Sequence, residues 1–126
     1  MSRTPAPRPT DAELSILRIL WERGPSTVRH VHELLAQERP GAVYTTALKL
    51  LQIMAEKGLV VRDEAQKAHV YTAAVDQSAT QTTLLKQVRD VLFGGSSAQL
   101  VMHVLSDERC TPEEIAEIRK LLEEKS

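Results

Sequence analysis

The sequence predicts a mainly α-helical fold with one small β-hairpin, split between an N-terminal domain and a C-terminal helical segment. Three observations carry this reading. Apolar residues recur at helical spacing in three stripes between residues 14 and 54. The period then shortens to that of paired strands over residues 59–73. Beyond Asp76 helical spacing returns, broken by Gly94-Gly95 and by a helix-start signal at Thr111-Pro112.

Each element has its own local cause. Thr10-Asp11-Ala12-Glu13 fits a capping box: the hydroxyl caps the third helical N–H, and the carboxylate reaches back. Leu14, Leu17, Leu20 and Trp21 follow at helical spacing, with Trp21 read as core, and Gly24-Pro25 stops this first helix. Ser26 or Thr27 caps a second helix whose inner face is Val28, Val31, Leu34 and Leu35, and Arg39-Pro40-Gly41 ends it. A third helix begins near Tyr44-Thr45-Thr46, carries Leu48, Leu51 and Met54 inward, and has Gly58 just past its end. Leu59 to Arg62 and His69 to Ala73 are short and β-rich, and the polar stretch Ala65-Gln66-Lys67-Ala68 between them marks a two-stranded hairpin.

Three helices, a short glycine-containing connection and a hairpin form the layout of a winged helix-turn-helix. The expected organisation is a flexible Pro-rich arm over residues 1–9, a winged helix-turn-helix domain over 10–75, and a helical dimerisation segment over 76–126. In that last segment Leu84, Leu85, Val88, Val91 and Leu92 form one stripe; Leu100, Val101, Val104 and Leu105 form a second. Thr111-Pro112-Glu113-Glu114 opens the last helix with a cap, a proline at the first helical position and a glutamate at the third, and Ile115, Ile118, Leu121 and Leu122 complete it. About 50 residues in three short helices make a poor independent core. A second copy of the same segment is the economical partner, with Leu84, Val88, Val91, Leu100, Val104, Ile118 and Leu121 at the seam. Packing back onto the first domain is the alternative.

Composition narrows the function. The 126 residues are 42% hydrophobic but only 3% aromatic, so the core is aliphatic. No apolar run approaches the roughly 20 residues of a membrane span, and the N-terminus lacks the apolar region of a secretory signal. The single cysteine, Cys110, excludes an intramolecular disulfide and a cysteine-built metal site, and fits a cytoplasmic chain. Net charge is -1 overall, but residues 1–75 carry +2 and residues 76–126 carry -3, which puts any basic function in the N-terminal part.

The third helix is the candidate reader of a DNA major groove, through Tyr44, Thr45, Thr46 and Lys49 in its first turns. Taken singly, Thr45 reads equally well as an N-cap and Lys49 as a solvated charge; the hairpin beside them tips the balance. In the wing, Arg62, Lys67 and His69 are candidates for phosphate contacts, which position a protein without reading sequence. Catalytic patterns are missing: there is no phosphate-binding loop, nucleophile elbow or paired carboxylate. His30 and His32 are two apart on a helix and point to different faces, so no metal and no cofactor is expected. Cys110 lies just before a helix, where the dipole can activate a thiol, but a plain small side chain is the default.

Several segments together resemble the BlaI/MecI/CopY family of bacterial repressors. These are Asp11-Ala12-Glu13-Leu14 through Leu20-Trp21-Glu22-Arg23-Gly24-Pro25, Thr27-Val28-Arg29-His30-Val31-His32, Tyr44-Thr45-Thr46, Glu56-Lys57-Gly58-Leu59-Val60, and Phe93-Gly94-Gly95-Ser96 with Leu100-Val101. The resemblance covers about residues 10–124. It implies a homodimeric repressor on a palindromic double-stranded DNA operator, in a β-lactam resistance or related stress-response operon. In β-lactam-responsive members it further implies a membrane sensor protease that triggers cleavage at an Asn-Phe bond; that bond falls here at His103-Val104, so this chain departs from the pattern. Copper-responsive members carry a C-terminal cysteine cluster; this chain has Cys110 alone, so copper sensing by that route is not expected. The wing carries Gln66-Lys67 where the family frequently has Gly-Arg. The rival reading is a winged-helix adaptor that binds protein rather than DNA.

Overall fold

A computed structural model describes residues 8–65 and 67–125. The elements run α1 (Asp11–Arg23), β1 (Ser26–Thr27), α2 (Val28–Glu38), α3 (Tyr44–Lys57), β2 (Val60–Asp63), β3 (Val70–Ala73), α4 (Gln77–Leu92), α5 (Ser97–Leu105) and α6 (Pro112–Lys125). The chain divides into two units, one ending at Thr80 and one beginning at Gln81. The division falls one turn inside α4, a few residues beyond the boundary expected at 75/76.

In the first unit the local signals act as expected. The Thr10 hydroxyl accepts from the Glu13 N–H at 3.2 Å, and the Glu13 carboxylate accepts from the Thr10 N–H at 2.8 Å. Thr27, not Ser26, caps α2 by accepting from the His30 N–H at 3.1 Å. Gly58 ends α3 in the left-handed conformation at φ 82°, which a side chain rarely adopts.

The expected hairpin forms from β2 and β3, and β1 joins it to make a three-stranded antiparallel sheet in the order β1-β3-β2. Ser26 pairs with Tyr71 and Thr27 with Val70, so β3 is the centre of the sheet rather than its edge. A two-residue strand has no period to read. Its residues were also the natural cap of the next helix, and Thr27 serves both roles.

The core gathers Ile16, Leu17, Ile19 and Leu20 of α1, Val28, Val31 and Leu35 of α2, and Ala47, Leu51 and Met54 of α3, closed by Leu59, Val60 and Tyr71. Leu48, expected inside, is only partly buried, and the small Ala47 takes the central place. Trp21 is likewise partly buried; its indole N–H donates to the Val75 carbonyl at 3.0 Å and ties the strand exit to α1. With this many aliphatic side chains buried, each worth roughly 1.5 to 3 kcal/mol, a fragment ending at residue 80 is expected to fold without the rest. A cooperative thermal melt of that fragment is the check; a broad, non-cooperative one would contradict it.

The second unit differs. Its helices start well: Ser96 accepts from the Gln99 N–H at 3.1 Å, and Thr111 and Glu114 exchange capping bonds at 3.1 and 2.9 Å. Yet no described residue of α4, α5 or α6 is buried. Leu85, Val88, Val91, Leu92, Val101, Met102, Val104, Leu121 and Leu122 are exposed, with Val91 at 83%. Leu84, Leu100 and Ile118 are half-buried.

Candidate nucleic-acid interface

The core side of α3 is set by Ala47, Leu51 and Met54. At 100° per residue, that leaves Thr45, Lys49 and Gln52, spaced i, i+4 and i+7, on the opposite face. All three are exposed, as are Tyr44 and Thr46. The N-cap of α3 is Val43, so Thr45 is the second residue of the helix and its hydroxyl is not spent on capping. Gln52 continues the stripe and was missed from sequence, although extending Thr45 and Lys49 by one more turn would have found it.

Two concave surfaces flank α3. The first, about 400 Å³, is lined by Thr27, Val28, Arg29, Tyr44, Leu48, Lys67, Ala68 and His69. It brings together the start of α2, the start of α3 and the wing. Its charged lining is Arg29 and Lys67, with His69 beside them and no carboxylate. Arg29 was not singled out from sequence. It reaches Glu33 at 3.8 Å, but both side chains are largely solvated, and such pairs contribute little, so Arg29 is available to an anion.

The second surface, about 500 Å³, is lined by Gln52, Ala55, Glu56, Arg62, Glu64 and Tyr71. Arg62 is thus separated from Lys67 and His69. Its guanidinium donates to Glu64 at 2.9 Å, and this carboxylate, followed by Tyr71, holds its pKa above the usual arginine value. Here two carboxylates face one cation, so this surface is the poorer one for phosphate. Gln66 lies outside the described residues.

The remaining candidates scatter. His30 is exposed, whereas His32 is half-buried with its Nε2 at 3.0 Å from the Ala42 carbonyl. Cys110 is half-buried. His103 and Val104 lie exposed near the end of α5, and the His103 ring sits 5.2 Å from that of Phe93. Among the described residues no three potential ligands cluster to hold a metal ion.

The model of the penicillinase repressor family matches residues 9–124. The chain belongs to that family. Its relatives include a penicillinase repressor of Bacillus licheniformis, 24% identical over 118 residues, covering 94% of this chain and 91% of that protein. The transcriptional regulator BlaI of Mycobacterium tuberculosis is 34% identical over 119 residues, covering 90% of this chain and 82% of that one. Family members are transcriptional repressors, and the family was legible in the sequence as the BlaI/MecI type. Among solved structures, the DNA-binding domain of the repressor BlaI matches at a TM-score of 0.52 with 22% identity, over 60% of this chain and 92% of that domain. A transcriptional regulator of Thermotoga maritima matches at 0.53 with 17% identity, over 91% of this chain and 72% of its own. These likenesses establish the fold of this repressor-family chain as a winged helix followed by helices.

Proposed function

We propose that this chain is a sequence-specific DNA-binding transcriptional repressor that acts as a homodimer on a palindromic operator. The observation that carries the reading is the acid-free groove of Arg29, Lys67 and His69 beside the exposed turns of α3. A cationic cleft next to an unobstructed helix fits a duplex: the cleft takes phosphates while Thr45, Lys49 and Gln52 face the base edges. The names of its relatives, a penicillinase repressor and a methicillin resistance regulatory protein, support a target operon in antibiotic resistance. Pairing of two copies through α4–α6 accounts for the apolar surface of the second unit. A sensor protease would then end repression by cutting near His103-Val104, within the last turn of α5. No helix among the described residues is long and apolar enough to cross a membrane.

Lys49→Ala tests the groove reading. Lys49 is exposed on α3, on the face opposite Ala47, Leu51 and Met54, so folding should be unchanged while duplex binding weakens by about 1 to 3 kcal/mol. Fluorescence anisotropy with a duplex from upstream of the chain's own gene measures this. Wild-type affinity in the folded variant would remove Lys49 from the interface.

A further inference from the structure

Among the described residues, α3 is the one helix of six without a side-chain N-cap. Thr10, Thr27, Asp76, Ser96 and Thr111 each accept an N–H at the start of α1, α2, α4, α5 and α6. Val43, at the start of α3, has no side-chain acceptor to offer. The first turn of α3 therefore rests on two backbone bonds to the Val43 carbonyl, from Thr46 at 3.0 Å and Ala47 at 3.2 Å. An uncapped helix start frays, yet this start holds Tyr44, Thr45 and Thr46.

A residue outside α3 instead anchors the backbone that leads into it. His32, in the second turn of α2, places Nε2 at 3.0 Å from the carbonyl of Ala42, the residue before Val43. A carbonyl only accepts, so Nε2 carries the proton and donates; it does so in both the neutral Nε2–H form and the imidazolium. The same ring meets Tyr44 edge to face, with centroids 6.0 Å apart and planes at 77°. One half-buried side chain thus fixes the backbone just before α3 and the first ring on it. Tyr44 in turn lines the cationic groove.

We propose that His32 is a positioning residue for DNA recognition, a latch across the turn that anchors the segment leading into the uncapped start of α3. The proposal rests on the reading of α3 as the helix that enters DNA. His32 itself need not touch the duplex. It sets the angle and order of the first turn, on which the spacing between Tyr44, Thr45 and the wing depends.

Two variants separate the latch from bulk and fold. His32→Leu keeps the volume and removes the donor; His32→Gln keeps an N–H donor at a similar reach. Amide hydrogen exchange of the free full-length protein, followed by NMR, reads the latch without DNA. Thr46 and Ala47 are expected to exchange about tenfold faster in His32→Leu and near the wild-type rate in His32→Gln, as one lost hydrogen bond implies. On the duplex from upstream of the gene, His32→Leu should bind up to about tenfold more weakly and His32→Gln nearly as wild type. Affinity for a scrambled duplex of equal length should be the same in all three proteins. Unchanged exchange in His32→Leu, or equally fast exchange in His32→Gln, would overturn the latch. If His32→Leu does not fold, judged by circular dichroism, His32→Ala carries the same comparison. Lys49→Ala keeps the two readings apart. Loss of binding in Lys49→Ala but not in a frayed His32→Leu overturns the role of His32 in recognition. Wild-type binding by Lys49→Ala sinks the DNA helix instead, and the exchange rates still decide the latch.

Discussion

Val88→Asp is expected to turn the proposed dimer into a monomer and to lower operator affinity about a hundredfold or more. Residue 88 lies in α4, in the unit beginning at Gln81, and contributes nothing to the groove of Arg29 and Lys67. The effect would act through assembly. Val88 is 42% exposed, and Val91 and Leu92 beside it are 83% and 72% exposed. Such a run of aliphatic surface is costly in water, at roughly 25 cal/mol for each Å². In the proposed dimer, burying it against a second copy would hold two copies of α3 at a fixed separation, matched to half-sites about one helical turn apart or a multiple of it. The second half-site would then bind at high effective concentration without any new contact. A carboxylate in the proposed seam would have to be desolvated, so the pair should separate. Size-exclusion chromatography with light scattering, beside a gel-shift titration, reads both halves. A folded, dimeric Val88→Asp with wild-type affinity would remove α4 from the seam.

Lys57→Met is expected to destabilise the first unit by about 3 kcal/mol, the lower end of the range for breaking a buried ion pair. Glu13 is only 2% exposed, and its carboxylate accepts from Lys57 Nζ at 2.9 and 3.0 Å while also accepting the Thr10 N–H. Burial alone would raise its pKa, but the Thr10 bonds and the Lys57 charge together outweigh burial and lower it below 4.5. A lowered carboxyl pKa contributes stability above its unfolded value, and that contribution is lost as pH falls through the folded value. The pair therefore clamps the start of α1 to the end of α3 at neutral pH and lets go in acid. In Lys57→Met the carboxylate keeps its burial and loses its cation, so the penalty should be largest near pH 7 and shrink as acid neutralises Glu13. Glu13→Gln combined with Lys57→Met should recover part of the loss, because no charge is left stranded. Urea titrations across pH measure this, and a penalty that grows as pH falls would contradict it.

Local signals were the legible part of this fold. Thr10 with Glu13, Thr111 with Glu114, and Gly58 each act within one helical turn, so sequence neighbours suffice to read them. Contacts between distant segments were not legible. The Glu13–Lys57 pair spans 44 residues, and Glu13 looked complete as a capping residue. The facing of α3 was only partly readable: Ala47, Leu48, Leu50, Leu51, Ile53, Met54 and Ala55 are apolar on nearly every side, so the periodicity could not choose Ala47 over Leu48. Wing residues alternate between two faces of a strand, and the sequence did not say which face α3 covers. Arg62 was therefore grouped with Lys67 and His69, whereas it lies across from them with Glu56 and Glu64.

The salt dependence of binding to the upstream duplex tests the central claim most directly, that Arg29 and Lys67 grip phosphates while α3 faces the bases. Affinity should fall linearly with salt on logarithmic axes, and Arg29→Ala with Lys67→Ala should flatten the slope by about two. Arg62→Ala, whose guanidinium is already paired with Glu64, should leave the slope unchanged. A wild-type slope near zero, as for an adaptor whose partner is a protein, or a slope altered by Arg62→Ala and not by the double variant, would contradict the account.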